Sequence, residues 1–375
     1  MNNISLKSET GFLDRVYSLN FGLIALICVI SCVGFLALFS ASGGSFSPWA
    51  SKQMMRFAVG FVVMIVIALI DARWWYRMAW PIYIAGFVML LIVEIMGHVG
   101  MGAQRWINLG FMKLQPSELM KIAVVLALAR YFHNARLEDM KHFRFLLPAV
   151  IIVAAPVALV LLQPDLGTSL MTIMTGGALF FLAGAPIWMF VSVFVIIAAA
   201  LPVIWHFIHD YQKQRVLTFL DPESDPLGAG YHITQSKIAL GSGGVEGKGF
   251  LQGTQSHLNF LPEKQTDFIF TLWAEEWGLF GGVFLLMLFA LVFGYAIWIG
   301  TRCRHNFGRL LALGIGVNFS MYVFVNIGMV MGLLPVVGAP LPLLSYGGTA
   351  MLAAMIGFGL MMSCSVYRDS KVTRV

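Results

Sequence analysis

The sequence predicts an all-α, polytopic membrane protein with about ten transmembrane helices. Of its 375 residues, 59% are hydrophobic and only 11% are charged, whereas an ordinary soluble domain has roughly 25% charged residues. Arg309 and Arg368 enclose 58 residues that include no Asp, Glu, Lys or Arg. A charge-free run of that length is stable only in lipid or deep inside protein, so the chain is predicted to lie in a membrane.

Ten helices result when the charge-free stretches are cut by length and at Gly and Pro, because a span needs about 20 apolar residues. The 44 uncharged residues 166–209 divide at a Gly-Ala-Pro break. The helix near 118–132 has a short apolar core, with Ser117 as its expected N-cap and with Lys121 and Arg130 expected to reach outward from its two ends. The ten predicted spans are 19–41, 57–71, 79–97, 118–132, 145–163, 167–183, 187–208, 274–300, 309–331 and 345–367.

The distribution of basic residues predicts the orientation of these helices. With the N-terminus in the cytoplasm, 14 of the 24 Lys and Arg residues lie inside and five lie in short outer loops. The other five lie in the long segment 210–266. Both termini are therefore predicted to be cytoplasmic, and 210–266 is predicted to be one large extracytoplasmic loop between helices 7 and 8. No linker or repeat divides the chain, so residues 1–375 are predicted to form a single domain.

Two classes of ligand are excluded on sequence grounds. The segment GSGGVEGKG, 241–249, resembles a phosphate-binding loop, but its first Gly position falls on Ser242, and Gly249 replaces the Ser or Thr that would follow Lys248. No nucleotide cofactor is therefore predicted, and these glycines are interpreted as turns. The net charge of +6 is explained by membrane orientation, so nucleic acid is not a predicted partner.

The carboxylate of Asp267 is the first candidate for chemistry, because it lies where the polar loop enters an apolar helix. If the helix already includes this residue, then Thr271, Ala274 and Gly278 lie within about 40° of it and leave room for a ligand. A carboxylate on the rim of an outward cavity can serve as a general base. The alternative is a carboxylate that only interacts favourably with the helix dipole.

A second polar cluster, 102–121, lies outside between the third and fourth spans. Arg105 and Lys121 offer positive charge for phosphate, and Trp106 offers a flat face for a sugar or a lipid headgroup. The alternatives are an interfacial anchor for Trp106 and a local ion pair between Glu118 and Lys121. Both alternatives stay open on the pattern alone.

Four further carboxylates are predicted to be structural. Glu275 and Glu276 lie about two turns deeper than the rim and are unfavourable there unless they are partnered or hydrated, so support of the fold is their favoured role. Asp165 at a tight outer turn and Glu94 near the outer end of span three are rim carboxylates, for which a structural role is also favoured.

Six motifs follow one another through almost the whole chain: GAQRWI (102–107), LQPSELMKI (114–122), LLQPDLGTS (161–169), RVLTFLDPESDPLGAGYHITQSKIALGSGG (215–244), GTQSHLNFLPEKQTDFIF (253–270) and FVNIGMVMGLLPVVGAPLPLLSYGG (324–348). In this order they resemble the SEDS family (shape, elongation, division and sporulation), and within it the elongation-type members. The departures are minor. Gln265 stands where His commonly precedes the Thr-Asp pair, and Ala339 stands where a larger aliphatic is usual.

The resemblance implies a peptidoglycan glycosyltransferase of the bacterial cytoplasmic (inner) membrane, which polymerises lipid II on the outer face during cell elongation. It implies a class B penicillin-binding protein as the activating partner, together with the elongation machinery. The implied reaction is an inverting displacement with undecaprenyl pyrophosphate as the leaving group.

The resemblance also assigns roles to residues of this sequence. Asp267 takes the role of general base. The implied substrate-binding residues are Arg105, Trp106, Glu118, Lys121, Arg215 and Ser345. The three cations of this set are expected at the pyrophosphate, with a divalent cation, Mg²⁺ or Mn²⁺, as a further option. Trp106 and Glu118 are expected to shape the headgroup cavity, and Ser345 is expected to line or brace it.

Two other function classes are weighed against the enzyme. A lipid II flippase predicts ionisable residues at mid-depth in the bilayer, whereas the charges here cluster at the outer rim, which favours an enzyme. A membrane partner that only scaffolds would tolerate Asp267→Asn. In an enzyme, that replacement keeps the shape of the side chain and removes the proton acceptor.

Overall fold

The computed structural model of the chain describes residues 11–96, 98–100, 103–108, 110, 113–207, 210–222, 228–257 and 263–370. These residues are predominantly helical. Eight helices are long and apolar enough to cross a membrane, which confirms the predicted class of all-α, polytopic membrane protein. The described residues also contain one small antiparallel sheet of three strands, which was not predicted.

The helices are α1 (Phe12–Tyr17), α2 (Phe21–Ala41), α3 (Ala50–Leu69), α4 (Ala72–Met96), α5 (Pro116–Phe132), α6 (Phe143–Leu162), α7 (Leu166–Ala183), α8 (Ile187–Phe207), α9 (Asp210–Leu220), α10 (Ala229–Gly243), α11 (Thr254–His257), α12 (Ile269–Arg302), α13 (Asn306–Val330) and α14 (Gly348–Val366). The strands are β1 (His98–Gly100), β2 (Ala103–Asn108) and β3 (Lys113–Leu114). β2 pairs with both of the other strands.

Each of the ten predicted spans overlaps a helix, namely α2 to α8 and α12 to α14, although α3 and α4 each begin seven residues before the predicted start. The weakest of them, α5, has 17 residues and begins at Pro116, so the predicted N-cap Ser117 already lies inside the helix. The expectation that Lys121 reaches outward is wrong, because its side chain is only 1% exposed. α5 is short for a span but is buried over most of its length.

The core of the bundle lies where α5 and α13 pass between the other helices. α14 packs along α3, α12 along α13, and α4 along α5, while α13 also contacts α7 and α5. α3 and α14 approach each other closely at Gly359, where an added Cβ atom would lie 2.7 Å from the carbonyl oxygen of Met64. Small residues permit this kind of close backbone approach between membrane helices.

The two ends of the described chain lie together. The guanidinium of Arg15, in α1, lies over the ring of Tyr367, 5.8 Å from its centroid. This agrees with the prediction that both termini are on the same side. The predicted outer loop 210–266 contains α9, α10 and α11, and α10 packs against α12 and α13. The described part of the loop is therefore largely helical rather than irregular, and it is anchored to the bundle through α10. Residues 223–227 and 258–262 of the loop lie outside the described ranges.

Candidate active site

Asp267 lies in the turn that leads into α12. Because α12 begins at Ile269, the aspartate precedes the first helical residue. The predicted helical face above the carboxylate, formed by Thr271, Ala274 and Gly278, is therefore wrong. The approach to Asp267 is shaped instead by the segments that pack against its turn.

Residues 263–268, hereafter the Asp267 turn, are bound through their backbone by the side chain of Asn326 on α13. Its fully buried side-chain amide donates to the carbonyl oxygen of Asp267 at 2.8 Å and to that of Ala339 at 2.6 Å. A buried amide is unfavourable unless it is hydrogen-bonded, so these contacts join the turn to the segment after α13. No role was predicted for Asn326. Its polar amide within a long charge-free run could have identified it as a candidate, because polar residues in such runs usually have a functional or bonding role.

Ser345 fastens the same turn from the segment that precedes α14. Its hydroxyl donates to the carbonyl oxygen of Thr266 at 2.6 Å and accepts from the backbone N–H of Leu341 at 2.7 Å. The backbone N–H of Tyr346 donates to the carbonyl oxygen of Gln265 at 2.8 Å. These bonds give Ser345 a bracing position, one of the two roles predicted for it. A direct contact with substrate stays a prediction.

The carboxyl group of Asp267 is half-buried, and no side chain or backbone group of the described residues donates a hydrogen bond to it. Burial, with the Glu263 carboxylate as the second cause, raises the pKa of Asp267 to about 6, while the positive charge of Arg215 acts to lower it. A carboxylate with this pKa is mostly ionised at neutral pH and is a stronger base than an exposed aspartate. The group is suited to accept a proton.

Arg215 lies on α9, in the outer loop, and is half-buried. Its positive charge acts to lower the pKa of Asp267, which places Arg215 within electrostatic range of that carboxyl group. The fold thus brings together a predicted base and a predicted cation that are far apart in the sequence. Positive charge beside a base keeps it ionised and can also interact with a phosphate.

Glu118 and Lys121 form a buried ion pair at the N-terminal end of α5, with Nζ 2.8 Å from Oε1. The hydroxyl of Tyr322, on α13, donates to Glu118 Oε2 at 2.5 Å and accepts from Lys121 Nζ. The local ion pair considered as an alternative is therefore present. Glu118 and Tyr322 line a cavity of about 30 Å³, which has room for water but not for a sugar. Substrate contact by Glu118 or Lys121 stays a prediction.

Arg105, on β2, makes its hydrogen bonds to protein carbonyl groups. Its Nε atom donates to the carbonyl oxygen of Gln163 at 3.1 Å, and Nη2 donates to that of Pro164. Nε also lies 3.8 Å from Oδ2 of Asp165. The guanidinium therefore braces the turn between α6 and α7, and binding of pyrophosphate stays a prediction. Trp106, the next residue of β2, is half-buried.

Asp165 has the structural role that was favoured for it. It is the N-cap of α7, because its carboxylate accepts from the backbone N–H of Thr168 at 3.2 Å and from the hydroxyl of the same residue at 3.0 Å. The side-chain amide of Gln115 donates to it at 3.3 Å. Glu94, the other rim carboxylate, is exposed on α4.

Glu275 is completely buried but well satisfied. Its Oε1 atom accepts from Lys248 Nζ and from the backbone N–H of Gln255, both at 2.9 Å, and from the hydroxyl of Thr254 at 3.3 Å. This ties the outer loop to α12 and confirms the predicted supporting role. It also explains how a carboxylate is tolerated at that position, because each desolvated charge has polar partners.

α12 is interrupted at Gly278, whose φ of 63° and ψ of −160° are not helical. Residues 244–249, hereafter the loop clamp, lie against this break. Backbone N–H groups of the clamp donate to the carbonyl oxygens of Glu275 at 3.1 Å and Glu276 at 3.0 Å. Glu276 also accepts a hydrogen bond from the Ser40 hydroxyl of α2. The predicted turns are confirmed for Gly244, Gly247 and Gly249, which have positive φ, whereas Gly241 and Gly243 belong to the end of α10.

A divalent cation would need oxygen ligands near the base. The described residues hold no group of three or more His, Cys, Asp or Glu side chains placed to bind a metal ion. The Glu263 carboxylate acts to raise the pKa of Asp267, so the turn carries two negative charges that influence this site. Mg²⁺ often binds through one or two carboxylates together with substrate phosphates. A divalent cation at these carboxylates stays a prediction.

The matches between this chain and known proteins extend over nearly its whole length. The sequence model of the FtsW, RodA and SpoVE proteins, described as cell cycle proteins, matches residues 13–370. The peptidoglycan glycosyltransferase MrdB of Escherichia coli is 45% identical over 360 residues, covering 95% of this chain and 96% of that protein. The peptidoglycan glycosyltransferase RodA of Treponema pallidum is 32% identical, covering 91% and 96%.

Solved structures share the same architecture. A chain from a peptidoglycan synthase complex, described for its coordination of polymerization and crosslinking, matches with a TM-score of 0.83 at 30% identity, covering 94% of this chain and 99% of that chain. The crystal structure of the rod shape determining protein RodA of Thermus thermophilus matches with a TM-score of 0.71 at 28% identity, covering 94% and 98%.

Proposed function

The chain belongs to the FtsW/RodA/SpoVE family of cell cycle proteins, and we propose that it polymerises lipid II with Asp267 as the general base. Its activity is that of a peptidoglycan glycosyltransferase, and it is a multi-pass protein of the bacterial inner membrane. Rod-shape maintenance is the process that its MrdB and RodA relatives indicate. The substrate, the base and the partner are the proposed parts of this account.

The proposed reaction is an inverting displacement at a sugar carbon. The 4-hydroxyl oxygen of the acceptor sugar attacks the anomeric carbon of the donor, and the Asp267 carboxylate takes the hydroxyl proton. The bond between that carbon and the pyrophosphate oxygen breaks, and its electron pair leaves with undecaprenyl pyrophosphate. Attack from the face opposite the leaving group converts the α-linkage of the donor into a β-1,4 bond.

One observation carries the assignment of the base. Asp267 is held through its backbone, while its half-buried carboxyl group accepts no hydrogen bond within the described chain. A structural carboxylate would have its oxygens bonded to protein donors. A pKa of about 6 also places this group near the operating pH, where a general base is most effective.

The leaving group requires positive charge. We assign this role first to Arg215, because its charge already acts on the Asp267 carboxylate. Arg105 and Lys121 stay candidates that would have to exchange protein partners for phosphate. A divalent cation held by Asp267 and Glu263 would neutralise charge on the pyrophosphate. Trp106 and Glu118 are the proposed walls of the headgroup cavity, and Ser345 the proposed brace.

A class B penicillin-binding protein is the proposed partner, which would crosslink the strands that this chain produces. Support comes from the related chain in a peptidoglycan synthase complex whose description joins polymerization with crosslinking. Because such a partner can activate the polymerase, the two proteins should be assayed together.

The test is polymerisation of labelled lipid II by the purified protein, together with its penicillin-binding protein carrying a disabled transpeptidase. We expect glycan polymer from the wild type and none from an equally folded Asp267→Asn variant. Polymer from both would remove Asp267 from catalysis. Lipid II that crosses the bilayer of a vesicle, with no polymer from either, would instead support the flippase alternative.

A further inference from the structure

Two of the cations expected at the leaving group are already engaged with protein. Arg105 donates to carbonyl oxygens of the turn between α6 and α7. Lys121 is buried between Glu118 and Tyr322. A pyrophosphate carries several negative charges and demands more than one cation. Arg215 is the third predicted cation, and a further positive group near the Asp267 turn would complete the binding of a pyrophosphate.

Arg56 is a cation of this kind on α3. It lies in the second turn of a helix whose first residue is Ala50, and its side chain is half-buried. Its guanidinium lies over the ring of Tyr346, 4.4 Å from the centroid. Its Nη1 atom is buried and makes no hydrogen bond within the described part of the chain.

This arginine is attached to the frame that holds the Asp267 turn. Gln53, one helical turn before it on α3, donates from Nε2 to the carbonyl oxygen of Ser345 at 2.9 Å. Gln53 Oε1 accepts from the backbone N–H of Gly347 at 3.3 Å. Tyr346, between these two residues, both supports the guanidinium and donates its backbone N–H to the Asp267 turn.

A buried guanidinium N–H without an acceptor is unfavourable, especially in a helix that crosses a membrane. Arginine presents a planar fork of donors that matches phosphate oxygens, and stacking on an aromatic ring fixes the plane of the fork in advance. At Gly348, an added Cβ atom would approach Arg56 Nε to 3.4 Å, so the absence of a side chain there keeps the guanidinium uncrowded.

We propose that Arg56, stacked on Tyr346, binds the pyrophosphate of the polyprenyl-linked sugar donor. The proposal rests on the proposed function, because it assigns to this site the leaving group of that reaction. It adds a binding residue on α3, outside the two polar clusters that were predicted to carry the chemistry. In this proposal, oxygen atoms of the substrate accept the hydrogen bonds that the Arg56 guanidinium does not make within the protein.

The test measures binding without turnover. The probe is undecaprenyl pyrophosphate, titrated into the purified protein in lipid nanodiscs, with undecaprenol as the probe of the same tail without phosphate. Arg56→Gln removes the cation, and Arg56→Lys keeps the charge but not the fork. Lys52→Gln is the matched control, because it removes an exposed cation from the same end of α3.

Arg56→Gln is expected to weaken binding of undecaprenyl pyrophosphate by about 10- to 100-fold, the range for charge-assisted hydrogen bonds. Arg56→Lys should weaken it by about 5- to 10-fold, because a point charge does not replace a bidentate donor. Lys52→Gln should change it by no more than about twofold. Binding of undecaprenol should be the same in all four proteins. If Arg56→Gln does not fold, Arg56→Lys carries the test alone.

Unchanged affinity for the pyrophosphate in Arg56→Gln, or in a folded Arg56→Lys if only that variant folds, would overturn the proposal. An equal loss for undecaprenol would overturn it too, because that pattern indicates a structural role through Tyr346. A wild type that binds no pyrophosphate at all would do the same. Failure of the polymerase proposal is distinct, since a wild type that binds the pyrophosphate through Arg56 but forms no polymer would leave this site standing.

Discussion

Two carboxylates lie eight positions apart, Asp267 in the turn before α12 and Glu275 inside this helix, and their surroundings differ. Glu275 is completely buried, and Lys248 and two further donors satisfy one of its oxygens. Asp267 is half-buried, its backbone is fastened by Asn326, and its carboxyl group has no donor among the described residues.

This difference in hydrogen bonding indicates that Glu275 stabilises the fold and that Asp267 is free to take part in a reaction. A buried carboxylate with several protein donors on one oxygen joins the segments that supply those donors and so contributes to the fold. One that is desolvated but not hydrogen-bonded keeps a raised pKa, which is about 6 for Asp267. The loop clamp that binds Glu275 thus fastens the first turns of α12, directly after the turn that carries Asp267.

The largest expected effect is on activity. Asp267→Asn should lower the rate of lipid II polymerisation by about 10²- to 10⁴-fold, the usual contribution of general-base catalysis, because the amide cannot accept the proton. Its thermal unfolding midpoint should match that of the wild type. Asp221→Asn, at an exposed position of the same outer segment, is the control and should retain full activity. A strong loss of stability in Asp267→Asn would show that Asp267, like Glu275, has a structural role.

Glu275→Ala should act in the opposite way and destabilise the protein by about 2–4 kcal/mol, because three donors that include a lysine lose their acceptor. The lower end is favoured if the side chain of Lys248, 24% exposed, regains water. Denaturant or thermal unfolding in detergent measures the change. Glu246→Ala, an exposed position on the loop clamp, should be neutral. If both variants were equally stable, the clamp would not support α12.

Gly278→Ala tests the break that the loop clamp occupies. A positive φ disfavours alanine, and the added Cβ atom would lie 2.4 Å from the backbone nitrogen of Gly247. The expected loss is about 1–3 kcal/mol of stability, accompanied by displacement of the clamp. Gly294→Ala in the same helix has open space around it and should be neutral or slightly stabilising. A stable Gly278→Ala variant would show that α12 can run straight through this position.

Asn326→Leu should have the smallest of these effects. It leaves the carbonyl oxygens of Asp267 and Ala339 without their donor, so we expect a loss of about 1–2 kcal/mol in transition-state stabilisation, seen mainly in kcat. Asn318→Leu removes an amide two turns earlier on α13, away from the turn, and is the matched control. Equal activity losses in the two variants would indicate general damage to α13 rather than displacement of Asp267.

The sequence was sufficient to predict the ten helices, because a long apolar run has few stable alternatives in lipid. It did not predict where α12 begins, since hydropathy does not distinguish a turn at 263–268 from the first turn of a helix. It also did not predict the interruption at Gly278, which depends on a loop that docks from a distant position.

The candidate site was only partly predictable for a similar reason. Asp267 and Arg215 were identified by residue type and motif, and the fold brings them together. The local pair of Lys121 with Glu118 was among the alternatives, but its contact with Tyr322 and the contacts of Arg105 could not be identified, because these partners lie on α13 and in the turn between α6 and α7. A charged residue in a single sequence shows that a partner is needed but not which residue supplies it.

The pH dependence of kcat for polymerisation, measured in the wild type and in Arg215→Gln, tests most directly whether Asp267 is the base and whether neighbouring charges set its pKa. The wild-type rate should fall as the pH drops through about 6, because protonated Asp267 cannot accept a proton. Removal of the Arg215 charge raises the pKa of Asp267, so the fall should begin at a higher pH in the variant. A wild-type profile that is flat through pH 6 would show that Asp267 is not the titrating base, and an acidic limb that stays in place in Arg215→Gln would show that Arg215 does not act on its pKa.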